Sequence, residues 1–446
     1  MTRRTPVLAV VTALLLVPGA ARAEQSSNVQ VVAEVPAMTN AISINFIDQT
    51  MFVSTEDGIY SYDVSNPANP TLQGALPMFI WENEDVSVDP VRHLLFISRD
   101  PRGFTTPATS GATFPYGAVH IIDVSNPQLM LQLNVFTLGA GHTTSCINRC
   151  DMVWTAGPYA NAQTQSQWKG RPIFGTDVTD PMNPKPCPAP IDTDHNYGAN
   201  DYVHDVQVDD DGVAWVSGEG GVRGYWTEGV HYDPVQDKVR TATGCDPIAY
   251  GGAGTTVKAT SSQFMHNSWR DVRRPNILMA TEEHIVPDCA TSGRFVTYDI
   301  SKTLNGEGFK PDSSKTATMK ALDTWTPEKQ PGSTGCDSSH YFTENSDQIT
   351  ANAFYSQGVR FLDVSDPTDI RQVGYYVNSD SSTWAAYWHK GLVYVADNSR
   401  GVEILKFNGT QASPTVRAPL IGHIAPALQF KRSVFGGLCP LRPAIA

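Results

Sequence analysis

The chain has 446 residues, and 41% of them are hydrophobic, so it has ample material for a folded core and is not a disordered polymer. Its formal net charge of −13 argues against binding to nucleic acid or to anionic membranes. With 35 glycines, 31 prolines and only 17% charged residues, the composition is typical of short strands and turns and excludes a coiled coil. At this length we expect either two or three domains or one large repeat architecture.

Residues 1–23 have the three parts of a secretory signal peptide. Two arginines form a basic start, an apolar stretch follows at 7–17, and residues 21–23 are an Ala-x-Ala cleavage site. The apolar stretch is too short to be a stable membrane anchor. We therefore predict that the protein is secreted or otherwise extracytoplasmic, that it is cleaved near Ala23, and that its mature form does not span a membrane.

An exported protein can form disulfides, and this chain has seven cysteines. Because seven is odd, at least one of them is free, bound to metal or bonded to another chain. Cys146 and Cys150 flank a short turn, which predicts a local disulfide between them. For the other five the sequence leaves the connectivity open, and Cys245 with Cys289 is our first choice.

A short phrase, Asp-Val-Ser-Asn-Pro with close variants, recurs along the chain. Five copies begin at Asp63, Asp123, Asp177, Asp299 and Asp363. In each copy a strand of alternating apolar residues ends at the aspartate, whose side chain can cap the N–H groups of the turn that follows. Two strands precede this strand and a fourth follows it, which makes four short strands in a unit of about 45–70 residues.

This pattern predicts an all-β fold, a seven-bladed β-propeller of four-stranded blades over residues 24–410, followed by a C-terminal tail at 411–446. The N-terminal strand 28–36 has no blade of its own, so we expect it to complete the last blade and close the ring. The repeated phrase resembles that of the LVIVD-repeat proteins, which are secreted or surface β-propellers of mostly unassigned function. The resemblance implies a fold and a location, and it implies no chemistry.

Aligning the inner strands of the seven units places four histidines in one register. The residues that open these strands, in blade order, are Asn40, Glu84, His142, His204, His266, His340 and Trp384. Inner strands line the central channel of a propeller, so equivalent residues are expected to meet around its axis. Imidazoles and a carboxylate at one point suit a first-row transition metal, namely Zn, Cu, Fe or Mn.

The sequence therefore predicts roles for the residues on and beside this ring. The predicted metal ligands are His142, His204, His266 and His340. Glu84 is either a fifth ligand or the base for a bound water, which makes it the candidate catalytic residue. Asp85 and Asp205 each follow a ring residue, and strand alternation should turn them away from the channel, where they would support the site from behind or cap the core. Trp384 is expected to form an apolar wall.

Two function classes remain open. The first is a metalloprotein with oxidase-like or oxygenase-like chemistry, since four histidines on a propeller axis resemble the iron site of carotenoid-cleaving oxygenases in architecture, although no motif of that family carries over. The second is a non-enzymatic extracellular scaffold that binds a small-molecule ligand or a protein, and whose histidines merely line a water-filled channel. Metal content distinguishes the two classes.

Overall fold

The structure is a computed structural model. It describes residues 24–100, 117–158, 173–191, 203–218, 221–233, 236–250, 264–283, 293–301, 319–327 and 338–409. The expected signal peptide at 1–23, the tail at 411–446 and Cys289 lie outside these residues.

The first three blades are antiparallel sheets of four strands each, in chain order from the inner to the outer edge. Blade one consists of Ala41–Ile47, Thr50–Thr55, Gly58–Asp63 and Thr71–Pro77. Blade two consists of Val86–Asp89, Leu94–Arg99, Gly117–Asp123 and Leu131–Leu138. Blade three consists of Ala140–Ile147, Met152–Pro158, Phe174–Asp177 and Lys185–Pro186.

Blades four and five follow the same order. Blade four consists of Val203–Val208, Val213–Gly218, Gly221–Trp226 and Ile248–Ala249. A separate hairpin, Val230–Asp233 with Lys238–Thr241, stands between its last two strands. Blade five consists of Phe264–Arg270, Ile277–Glu283, Phe295–Asp299 and Lys320–Trp325.

The last two blades receive strands from the N-terminal end of the described chain. Blade six consists of Phe342–Glu344, Ile349–Ala353, Val359–Asp363 and Arg371–Val377, and Glu24–Gln25 adds a fifth strand. Blade seven consists of Thr383–His389, Leu392–Asp397 and Gly401–Phe407, with Val29–Val35 as its outer strand. A 3-10 turn, Pro36–Met38, leads from there into blade one. The seven-bladed propeller of four-stranded sheets and its closure by an N-terminal strand are confirmed.

The core is divided among the interfaces between blades. Each of the seven interfaces holds one cluster of buried apolar side chains. Between blades one and two, for example, Phe52 packs in the same cluster as Ile97. Because both faces of every sheet are covered in this way, the inner strands are held in a fixed arrangement around the axis.

The repeated phrase has the role that the sequence predicts. In all five copies the Oδ1 atom of the aspartate accepts the N–H of the residue two positions on, at 2.8–3.0 Å. The apolar residue after the aspartate is buried in every copy, at Val64, Val124, Val178, Ile300 and Val364. Each copy thus ends a third strand and anchors the turn to the nearby core.

Two disulfides lie within the described residues. Cys146 and Cys150 are bonded, as expected from the short turn between them. The expected pairing of Cys245 with Cys289 is wrong, because Cys245 is bonded to Cys187 with their Cα atoms 5.4 Å apart. Cys187 follows the outer strand of blade three, and Cys245 precedes the outer strand of blade four, so the bond joins adjacent blades. Spacing along the chain could not show that these two edges are neighbours.

Among the described residues, no helix has the length and the hydrophobicity that crossing a bilayer requires.

The two disulfides should differ in their contribution to stability. Replacing Cys187 and Cys245 with serine removes a crosslink that spans 58 residues, for which chain entropy predicts a loss of about 4 kcal/mol. The same change at Cys146 and Cys150, which are 4 residues apart, should cost about 2 kcal/mol. Urea denaturation of both variants measures the difference, and peptide mapping tests the connectivity. A Cys245 peptide crosslinked to Cys289 would contradict the structure.

Candidate metal centre

The inner strands bring one residue from each blade to the propeller axis. In five of them a β-bulge interrupts the pairing with the second strand at this point, and the extra residues include Ile42, His142, His204, His266 and Trp384. Glu84 and His340 stand just before the inner strands of blades two and six. The register differs from expectation in blade one, where Ile42 and not Asn40 occupies the ring position, because the bulge lies two residues further along.

Four imidazoles from different blades point their Nε2 atoms at one carboxylate. Oε2 of Glu84 lies 3.3 Å from Nε2 of His142, 3.4 Å from that of His204 and 3.2 Å from that of His266. Oε1 of Glu84 lies 3.5 Å from Nε2 of His340. The Nε2 atoms of His142 and His204 are 2.9 Å apart. All five side chains are buried. The structure thus brings together every metal ligand that the sequence predicts.

The opposite ring nitrogens fix which tautomer three of the four imidazoles adopt. Nδ1 of His204 donates to the carbonyl oxygen of His266 at 3.1 Å, and Nδ1 of His340 donates to that of Trp384. Nδ1 of His142 contacts the carboxylate of Asp100 at 2.8 Å. Since a carbonyl or a carboxylate accepts the hydrogen bond, the proton of each neutral ring is on Nδ1. The Nε2 lone pairs of three histidines therefore face the axis.

The pKa values of His204 and His266 agree with neutral imidazoles at these two positions. Burial lowers the pKa of His204 far below its usual value and that of His266 to about 3, and repulsion from neighbouring imidazoles lowers both further. Burial by itself would raise the pKa of Glu84, but attraction to positive charge on His142 and His340 outweighs it, so positive charge beside the carboxylate holds that pKa well below its usual value.

Three further acids surround the ring, and the sequence reading missed them. Glu283 lies with His204 and His266 in one group of possible metal ligands, and Glu82 and Asp100 lie with His142 in another. Burial raises the pKa of Glu283, whose Oε1 accepts the hydroxyl of Tyr355 at 2.5 Å. Asp100 directly supports His142, one of the predicted ligands, because a carboxylate on Nδ1 orients the ring and raises its basicity.

A signal for these residues exists in the sequence. Because a second strand runs antiparallel to the inner strand, its last residue lies beside the first residue of the inner strand. Aligning the second strands of blades two, five and six on their first residues puts Asp100, Glu283 and Tyr355 at the same position, at or just beyond the strand ends.

Asp85 and Asp205 lie in a second polar layer. Asp205 accepts hydrogen bonds from Nδ2 of Asn267 at 3.1 Å and from the hydroxyl of Tyr341 at 3.2 Å, and Tyr341 belongs to a blade two positions away. Asp85 accepts from Ser145 at 3.0 Å. Burial raises the pKa of Asp85 to about 8 and that of Asp205 to about 6. The contact with Tyr341 differs from the expectation that alternation turns Asp205 away from the channel, since a bulge at His204 breaks the alternation there.

The remaining side of the ring is apolar. Ile42, Tyr355 and Trp384 form a buried cluster of their own, which we call the apolar flank. The ring of Trp384 lies 5.4 Å from that of His340, and the ring of Tyr355 lies 4.8 Å from it. Trp384 therefore lies where an apolar wall is expected. Tyr355 has a φ of 39°, which is unusual for an aromatic residue and typical of functional sites under backbone strain.

Comparisons with known proteins show the fold alone. No family model matches the chain, and no curated protein matches it. The periplasmic gluconolactonase of Pseudomonas aeruginosa is similar in structure, with a TM-score of 0.56 and 12% identity over 86% of this chain and 96% of that one. The Cps50 (Swd1) β-propeller domain of Myceliophteria thermophila has a TM-score of 0.51 and 9% identity over 85% and 99% of the two chains. Hydrazine synthase of Kuenenia stuttgartiensis has a TM-score of 0.50 and 10% identity over 85% and 97%.

Gly157 is required for the position of His142. A Cβ atom at this glycine would lie 2.1 Å from the Cβ of His142, and its φ of +66° also favours glycine. Gly157→Ala should therefore displace the imidazole, lower the metal content of the purified protein and cost about 1–3 kcal/mol of stability. Gly391→Ala is the matched control, since Gly391 has a φ of +79° with nothing within 4 Å of the added atom. Equal metal content in the two variants would contradict this account of His142.

Proposed function

We propose that this protein is an exported metalloprotein whose axial cluster binds one first-row transition metal and uses it for oxidase-like or oxygenase-like chemistry. One observation carries the proposal. Lone pairs from His142, His204 and His340 converge with the carboxylate of Glu84 at hydrogen-bonding distance, although all of these atoms are acceptors. Buried acceptors repel one another unless a cation lies between them.

The spacing of the donor atoms supports a single ion. Two ligand atoms at about 2.1 Å from a metal, at an angle of about 90–109°, are about 3.0–3.4 Å apart. The observed separations of 2.9–3.5 Å among the imidazole nitrogens and the Glu84 oxygens match the edges of such a coordination shell.

The donor set favours iron over zinc. A structural zinc site takes four ligands, whereas this cluster offers five. Imidazole suits iron and copper, and the carboxylate shifts the preference towards iron and manganese, so iron satisfies both kinds of donor. When bound, such a metal supplies Lewis acidity and one-electron redox chemistry.

The chain's own residues have separable roles in this proposal. Four histidines hold the ion, and Asp100 keeps the ring of His142 in the orientation and tautomer that binding needs. Glu84 completes the donor set as a fifth metal ligand, which is one of the two roles that the sequence left open for it. The other role is the base for a bound water. Complete burial of the ring excludes bulk water and so strengthens every electrostatic interaction within it. Burial of the ring residues weighs against the reading in which the histidines merely line an open, water-filled channel.

Export is supported by two independent features. The first 23 residues have the pattern of a signal peptide, and the described chain contains two disulfides, which are typical of oxidising compartments. The five Asp-Val-Ser-type turns support membership of the LVIVD-repeat proteins, and we propose that family for this chain.

Metal content tests the proposal directly. Mature protein made without a histidine tag and purified after export should contain about one transition-metal ion per chain by mass spectrometry of the elements. The double change His204→Ala and His266→Ala removes two of four imidazoles and should reduce this to below about 0.1 per chain. His93→Asn is the control, because His93 is an exposed residue with a φ of 55°, which asparagine tolerates.

The fold of each variant is checked by circular dichroism. Metal-free wild-type protein that takes up no ion on reconstitution with Fe(II), Mn(II), Cu(II) or Zn(II) would contradict the proposal. So would a double variant that keeps its metal.

A further inference from the structure

Two of the seven ring positions carry no donor for a metal. The five donors come from blades two to six, and the positions in blades seven and one are Trp384 and Ile42. These two blades are adjacent because the ring is closed, so the donor set is interrupted on one side only. The apolar flank, formed by Ile42, Tyr355 and Trp384, occupies that side.

The apolar flank contains one polar atom without a partner. Nε1 of Trp384 is buried and has no hydrogen-bond acceptor in the part of the chain that the structure describes, although Trp384 is only 4% exposed. A buried indole N–H normally finds an acceptor, because leaving it unpaired costs free energy. Trp384 stands at a bulge, as His204 and His266 do, and its ring lies 5.4 Å from that of His340. The indole that carries the unpaired donor thus lies beside His340.

We propose that the apolar flank receives a small neutral diatomic ligand of the dioxygen class beside the metal, and that the N–H of Trp384 donates a hydrogen bond to its outer oxygen. This inference rests on the proposed function. An apolar surface disfavours a charged ligand or a group of waters, because either would give up several hydrogen bonds to bulk water and a single N–H donor cannot replace them. A neutral diatomic molecule loses little hydration, and a single N–H is enough to orient its free end.

The hydroxyl of Tyr355 does not supply this hydrogen bond. It donates to Oε1 of Glu283, so the tyrosine presents its ring to the flank, where it lies 4.8 Å from the ring of His340. Ile42 has no polar side-chain atom. Trp384 is therefore the one donor among the three residues of the flank, and it determines the selectivity that we propose.

Nitric oxide is the probe, because it binds ferrous iron as a stable analogue of dioxygen with distinct spectra. Wild-type protein and the Trp384→Phe variant are loaded with Fe(II) in the absence of oxygen, and the bound iron is quantified. Nitric oxide is then titrated into each protein, and its binding is followed by electron paramagnetic resonance and infrared spectroscopy. Phenylalanine keeps an aromatic ring and removes the donor. We expect equal iron content, about tenfold weaker nitric oxide binding in the variant, and a higher N–O stretching frequency.

Trp388→Phe is the matched control. Trp388 is on the same strand as Trp384, and its Nε1 also has no partner within the described residues, but its ring packs against Phe361 and Phe407 in the interface of blades six and seven. This variant should bind nitric oxide as the wild type does. If the loss of any buried indole weakened nitric oxide binding, both variants would bind it more weakly. The proposed hydrogen bond predicts weaker binding in Trp384→Phe alone.

The outcomes separate the inference from the proposed function. The inference is overturned if the wild-type protein binds iron but no nitric oxide. It is also overturned if the wild type and Trp384→Phe have the same affinity for nitric oxide and the same N–O frequency. Neither result contradicts the proposed metal centre. Wild-type protein that binds no iron overturns both.

Discussion

The hydrogen bonds made by Nδ1 of the ring histidines determine what the centre of this protein can bind. Each of these bonds ends on an acceptor, namely a carbonyl oxygen for His204 and His340 and a carboxylate for His142. The Nε2 lone pairs must then face the axis, where they meet Glu84. A group of acceptors held this closely is unfavourable on its own and becomes favourable around a cation, so metal binding follows from the tautomers and not from the number of histidines alone.

The propeller keeps this unfavourable group together because the links between its members cross from blade to blade. Glu84 N–H donates to the carbonyl of His142, and Oγ1 of Thr143 donates to that of His204. With the His204–His266 and His340–Trp384 bonds, these links run around most of the ring. Seven apolar interfaces hold the blades that carry them. An imidazole can therefore leave the axis only by disturbing a neighbouring blade, which makes the site rigid before any ion binds.

The propeller fold and most of the axial cluster could be predicted from the sequence. The repeated strand-and-turn phrase indicates the number of blades, and the shared register of the inner strands indicates which residues meet at the axis. The bulges could not be predicted, since an extra residue leaves no mark in an alternating pattern. The pattern therefore places Asn40 on the ring where the structure has Ile42, and it turns Asp205 away from the channel. Glu283 ends a second strand and Asp100 directly follows one, so the shared register of the inner strands does not reveal them. The partner of Cys245 depends on which blade edges touch, which only the folded chain shows.

X-ray absorption at the edge of the metal found in the purified mature protein tests the central claim most directly, because it reports the ligands without reference to activity. The account predicts a shell of four imidazole nitrogens and one oxygen at about 2.0–2.2 Å, with the outer scattering of imidazole rings, in protein whose His142, His204, His266 and His340 are intact. A shell with sulfur ligands, or with fewer than three imidazoles, would place the ion elsewhere in the chain and contradict it.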